Sequence, residues 1–353
     1  MATTKYKFVP SQEHESLQFK DIDYIEFYIG NAYQATHFYR TAFGFTPIAY
    51  TGLEKGVRNR VSFVVEQGNI RLVPKSGLGP NSPIADHVNL HGDGVKDIAF
   101  TVDDATHVFE EATKRGGCHI MEPTVFEDQK GQVIKAPIAA YGDTVHSFIQ
   151  RDAYDGVFFP NYQGVQNPLS PVLAGLSAID HVAISVEHGK LDQCVDFYSQ
   201  VLGFHQLHQE DISNEYSGMH YTVVQNSTGR IKFPIAEPAS HKRKSQIEEY
   251  LMFYRGQGVQ HIALLSDDIV RTVKALRTNG IEFLRMPDTY YDMLILLLKK
   301  PTTSRVCISI IYLKSKQSEP RTALPFCPST PVLHKKYEIH LEKSLIFKYL
   351  RGR

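Results

Sequence analysis

The sequence predicts an α+β fold made by duplication, each half holding two strand-helix-strands modules of the βαβββ type, four modules in all. Three observations predict it. The second half repeats the first at several anchor points, each module opens with an alternating strand that runs into an amphipathic helix, and the two halves are joined by a Gly, Pro and Asn-rich connector at roughly 155–176.

A chain of 353 residues is long enough for two domains with separate cores. Its formal charge is zero and its hydrophobic fraction is 42%, values of a soluble globular protein, so no nucleic-acid or membrane partner is expected. The four cysteines, Cys118, Cys194, Cys307 and Cys327, form no close pair, which argues against a disulfide scaffold or a cysteine zinc site. With a polar start and no aliphatic run longer than Met293 to Leu298, a cytoplasmic location is expected.

After a polar lead (1–19), IDYIEFYIG (22–30) alternates as a strand, with Tyr24, Glu26 and Tyr28 opposing Ile25, Phe27 and Ile29. A helix follows, starting at Asn31 to Tyr33 and stopped by Gly44. RVSFVVEQ and GNIRLVPK then read as two strands with Gly68 at their turn. GVKDIAFTVDDATHVFEEATKRGG (94–117) repeats the plan: Asp103 or Asp104 caps a helix whose apolar positions Ala105, Val108, Phe109 and Ala112 share a face. Further strand runs to HSFIQRD (146–152).

The second half restates this. IDHVAISV (179–186) matches IDYIEFYI, FYSQVLGF (197–204) matches FYRTAFGF (38–45), TVVQNSTGRIKF echoes FVVEQGNIRL, and GVQHIALLSDDI (258–269) matches GVKDIAFTVDDA. The helix after the first of these strands carries Leu191, Cys194, Val195, Tyr198 and Leu202 on one face, and the last helix carries Ile269, Val273 and Leu276.

Alternation sends His181, Ala183 and Ser185 to one face and Val182, Ile184 and Val186 to the other; His261 and Ala263 likewise oppose Ile262 and Leu264. Tyr24 stands where His181 stands, and Asp97 where His261 stands. A histidine required by the fold would be expected in both copies. Its presence in one copy points to chemistry, and two imidazoles so placed are candidate metal ligands. Joined by a carboxylate they would form the two-His-one-carboxylate set of non-haem Fe(II) oxygenases, which leaves adjacent positions for an α-keto acid and dioxygen.

The block 215–269, with IDHVAISV before it and MPDTYY (286–291) after it, resembles the 4-hydroxyphenylpyruvate dioxygenase family of the vicinal oxygen chelate superfamily. GLEKGVRNRVSFVVEQGNIRLVP, HGDGVKDIAFTVDD and YGDTVHSFIQR in the first half resemble it too, so the likeness spans about residues 20–294. It implies two half-barrel-like domains (20–154 without metal and 177–294 with metal), Fe(II), a small α-keto acid and O2 as reactants, homogentisate and CO2 as products, a place in tyrosine catabolism, and a homodimer or higher oligomer. By position, His181 and His261 match the family's histidine ligands, and Gln246 and Gln260 match glutamines that face the substrate. Tyr24, Glu26 and Asp97 would line a degenerate, metal-free cavity.

Three positions depart from the family pattern. Ala236 replaces an asparagine before the Glu-Pro pair, Tyr221 replaces a serine, and the glutamate-bearing strand that supplies the third ligand, for which Ser147 marks the counterpart in the first half, is not found. VCISIIYL (306–313) has no acidic residue, and Glu338 is a weak substitute. From residue 295 onward there are 12 Lys or Arg against 3 Asp or Glu and a single glycine, Gly352, so the basic tail (295–353) reads as sequence of foreign origin. The last module is therefore expected to be incomplete, with an open sheet edge. Two other outcomes stay open: a hydroxymandelate synthase-like paralogue and a catalytically inactive binding protein.

Overall fold

The computed structural model describes residues 17–165, 173–213, 218–240, 244–283, 307–311 and 345–348. The first half runs β1 (Asp21–Tyr28), α1 (Ala32–Phe43), β2 (Thr46–Thr51), β3 (Arg60–Gln67), β4 (Ile70–Gly77), α2 (Pro83–His91), β5 (Gly94–Thr101), α3 (Ala105–Lys114), β6 (Thr124–Asp128), β7 (Gly131–Ala139), β8 (Val145–Gln150) and the short β9 (Gln163–Gly164). The second runs β10 (Leu176–Ser185), α4 (Leu191–Asp196, continued by a wide π-helical turn to Val201), β11 (His205–Ser213), β12 (Gly218–Gln225), β13 (Lys232–Pro238), α5 (Gln246–Tyr254), β14 (Gly258–Ser266), α6 (Ile269–Thr278), β15 (Cys307–Ile311) and β16 (Leu345–Lys348).

The duplication is visible in the sheets. In the first, β1 lies between β4, parallel to it, and β5, antiparallel; in the second, β10 lies between β13, parallel, and β14, antiparallel. The helix signals act as expected. Asn31, Asp104 and Asp268 each accept a backbone N–H of the first turn, and Gly44 ends α1 in the left-handed region. Gly68, also left-handed, lets the β3–β4 turn abut the chain: a Cβ there would fall 2.5 Å from the Ser177 carbonyl oxygen.

The helices of both halves close over one apolar core. Ile25, Phe27, Ile98 and Phe100 from the first sheet join Val182, Ile184, Ile262 and Leu264 from the second, the residues that alternation assigned away from the histidines. His146 of β8 is fully buried there, donating from Nδ1 to the Ile98 carbonyl (3.0 Å) and accepting at Nε2 from the Tyr198 hydroxyl (2.8 Å). Burial pushes this imidazole down to about 4. The unfolded chain then binds more protons than the folded one between about pH 4 and 6.5, so stability must fall as pH drops through that window, at up to about 1.4 kcal/mol per pH unit. Melting curves from pH 6.5 to 4.5 are expected to show this slope, and His146→Phe to flatten it.

Two expectations change. The predicted connector is partly built in: β9 pairs with β2, and Phe158 and Phe159 pack against Tyr24 with ring centroids 5.4 and 6.3 Å away. With Val64, Val73, Ala99 and Ile149 they form a second apolar cluster on the Tyr24 face, so the first half's degenerate cavity is filled. Nor is the edge of β14 open. β15 pairs with it and β16 with β15, a finding the sequence missed because CISII carries no recognisable family pattern. The pairing differs from the first half, however: β5–β8 is parallel whereas β14–β15 is antiparallel. Register alone puts Ser309 opposite Ala263, as Ser147 is opposite Ala99. Glu338 and MPDTYY lie outside the described residues.

Candidate metal centre

β10 and β14 are adjacent antiparallel strands, and irregularities in their register bring His181 and His261 together. Their Nε2 atoms lie 3.4 Å apart with ring centroids 5.5 Å apart. His181 Nδ1 donates to Asp180 Oδ2 (2.8 Å), and His261 Nδ1 donates to Gln260 Oε1 (2.7 Å). Each ring proton is thereby committed to Nδ1, leaving two Nε2 lone pairs facing one another. Two lone pairs at that distance repel unless a cation sits between them. Ligand nitrogens about 2.1 Å from one ion lie about 3.0–3.4 Å apart, so the donor set fits a divalent metal. Burial, and His181 beside it, push His261 down to about 3, which keeps it a neutral ligand at physiological pH.

Asp180 is buried, and Lys232 Nζ lies 3.4 Å from its other oxygen. The first half repeats that ion pair, Arg71 to Asp23 at 3.4 Å. The carboxylate is thus part of the duplicated scaffold, and His181 alone was added to it. Sequence reading passed over Asp180, although the repeated Ile-Asp before Tyr24 and His181 was the available signal. An outer-shell carboxylate of this kind is typically worth 10–100-fold in metal affinity. Asp180→Asn is expected to weaken metal binding by that factor while leaving the fold intact, as a competition titration with a chromophoric chelator will read.

Gln260 is buried and oriented by His261, whereas Gln246 is exposed in the first turn of α5. Tyr221, Ala236 and Ile247 form a small apolar cluster, with Tyr221 directly opposite Ala236 between β12 and β13. Ala236 also pairs with Ser185, whose buried Oγ has no hydrogen-bond partner among the described residues. Among the described residues no third His, Cys, Asp or Glu joins His181 and His261.

The equivalent positions of the first half converge on an ammonium. Lys135 Nζ donates to Tyr24 Oη (2.8 Å) and to Asp97 Oδ2 (2.8 Å), and Ser147 Oγ donates to the same carboxylate oxygen (2.6 Å). Nearby, Lys75 pairs with Glu26. The first copy therefore supplies its own cation from β7.

Comparison with known proteins places the chain in a family. The model of the glyoxalase/bleomycin resistance protein/dioxygenase superfamily matches residues 21–143 and 178–297, one match in each half. A 4-hydroxyphenylpyruvate dioxygenase of Dictyostelium discoideum is 43% identical over 281 residues, 77% of either chain. One from Aspergillus fumigatus is 41% identical over 80% of this chain and 75% of its own. This chain belongs to the 4-hydroxyphenylpyruvate dioxygenase family. A substituted form of 4-hydroxymandelate synthase from Streptomyces coelicolor superposes with a TM-score of 0.72 at 31% identity, covering 80% of this chain and 81% of that one. Membership of the family implies a metal cofactor, and among the described residues no helix is long and apolar enough to cross a membrane.

Proposed function

We propose that this chain is an Fe(II)-dependent dioxygenase that converts 4-hydroxyphenylpyruvate and O2 to homogentisate and CO2 in cytoplasmic tyrosine catabolism. The observation that carries the reading is the pair of Nε2 lone pairs converging in only one half of a duplicated fold. His181 and His261 would hold the iron, whose role when bound is to act as a Lewis acid with open positions where an α-keto acid and O2 meet.

The remaining steps belong to the protein. Asp180 and Gln260 fix both imidazoles as Nδ1–H tautomers, so no proton need leave a ring before metal binds. With Oε1 held by His261, Gln260 keeps its amide N–H groups for a substrate oxygen, and Gln246 at the start of α5 would supply a second amide. Tyr221 and Ile247, packed together with Ala236, would exclude water from a substrate held there.

The test is oxygen uptake with 4-hydroxyphenylpyruvate, with products identified by chromatography. Because among the described residues no carboxylate joins the two imidazoles, iron is expected to be lost on dialysis and turnover to depend on added Fe(II). Homogentisate is the expected product. Hydroxymandelate would transfer the chain to the synthase reading, and absence of uptake at saturating Fe(II) would support the inactive binding protein. Ala236→Asn would place an amide beside the Ser185 hydroxyl, which has no partner among the described residues. It is expected to raise kcat/KM about tenfold, the worth of one hydrogen bond of roughly 1.4 kcal/mol.

A further inference from the structure

A second group of donors lies far from this chemistry in the sequence, at the end of α2. His87 and His91 are four residues apart on one helical turn, so their side chains share a face. His91 Nε2 lies 2.8 Å from Asp143 Oδ2, and one ligand atom from each of His87, His91 and Asp143 falls within 4.8 Å of the others. The structure assigns these three residues to a divalent-metal site of N2O type, suited to zinc, that shares no residue with the His181–His261 pair.

Four features point to a ligand and not to a satisfied core. His87 is 5% exposed, yet neither of its ring nitrogens has a hydrogen-bond partner among the described residues. A buried, unpaired imidazole costs about 1–3 kcal/mol, a penalty that coordination removes. His91 is oriented at both ring nitrogens, as a metal-binding histidine is: Nδ1 donates to the Tyr254 carbonyl and Nε2 to Asp143, so that an incoming ion would take the place of the Nε2 proton. The His91 ring is further clamped by stacking on Tyr254 at 4.2 Å. Asp143 is half exposed, which gives an ion a path from solvent and gives the carboxylate freedom to close on it. Burial, aided by His91 and Lys96, pushes His87 down to about 3, so it offers a lone pair at neutral pH.

Two sites are thus built on opposite logic. The second-half pair uses strands, and this one uses the i, i+4 spacing of a helix, the spacing by which paired histidines grip zinc elsewhere. Lys96, whose ammonium donates to the Asp143 backbone carbonyl, opposes an incoming dication and sets the expected affinity in the micromolar range. Because Tyr254 closes α5 and His91 closes α2, a bound ion would tie the two halves together across this contact.

The test uses the full chain with His181→Ala and His261→Ala, so that the other pair cannot bind. Zinc chloride titrated against a chromophoric chelator at pH 7.5 is expected to give one equivalent with micromolar Kd and a higher melting temperature. Cobalt(II) is expected to give a visible d–d band. Asp143→Asn, an exposed change, should weaken zinc at least tenfold, and His87→Leu should abolish both binding and band. Should the doubly substituted background fail to fold, the unsubstituted chain serves: His87→Leu must lower the zinc bound by one equivalent, and Asp143→Asn must weaken that equivalent at least tenfold. No zinc retained in a folded background, or a stoichiometry unchanged by His87→Leu, overturns the assignment.

Discussion

Replacing His261 by alanine is expected to lower 4-hydroxyphenylpyruvate-dependent oxygen consumption by at least about a thousandfold, with His181→Ala equivalent to it. The size follows from the donor count. Among the described residues the proposed centre offers two nitrogen donors and no carboxylate, so losing one would leave a single imidazole, and a chelate would become a monodentate contact. Asp180→Asn keeps both histidines and an acceptor for Nδ1 but loses the negative charge behind it, so its defect should be overcome by raising Fe(II), whereas that of His261→Ala should not. Stability should move little or upward in the His261→Ala chain, because removing one of two facing lone pairs relieves repulsion in the metal-free protein. Activity retained by either histidine variant at saturating Fe(II) would reject the pair as the metal ligands.

Much of this site could be read from the sequence because duplication supplies a reference copy. His181 and His261 stood out against Tyr24 and Asp97 with no structure in hand, and the apolar residues opposite them fell on the core side as alternation requires. Features that depend on long-range packing were not legible. Phe158 and Phe159 sit in a Gly and Pro-rich segment, and nothing local says that they turn back to fill the first half. Gln260 follows strand alternation in the backbone, yet its amide reaches round to His261 on the opposite face, which period-two reasoning forbids only for short side chains. The α2 histidines went unnoticed because the stretch reads as an ordinary amphipathic turn until burial strips His87 of partners. β15 and β16 escaped because the pairing of β15 to β14 and of β16 to β15 is a backbone event that carries little side-chain signature.

The other large effect lies in the copy without histidines. Lys135→Met is expected to destabilise the protein by about 3–5 kcal/mol, because it strands the Asp97 carboxylate in an apolar surround with one oxygen already unpartnered. Burial alone would lower the Lys135 pKa, but Asp97, Tyr24 and Glu26 outweigh it and hold the ammonium well above its ordinary value. A raised cationic group contributes its full stability below its unfolded value, near 10.4, and loses it only as pH rises through the folded one, so the native pair should be insensitive to pH between 6 and 9. The variant should not be. Protonation relieves the penalty on a carboxylate left buried without its cation, so the gap to the parent chain should narrow on acidification from pH 8 to pH 5. Lys135→Met combined with Asp97→Asn removes both charges and keeps the shape, and it is expected to recover most of the loss, as paired replacement of buried ions does elsewhere. Urea melts of the parent, the two single variants and the double at pH 8 and pH 5 give the complete cycle. If Lys135→Met unfolds with the parent, or if the double variant is no better than the single, the ammonium is not what replaces a metal in the first half of this fold.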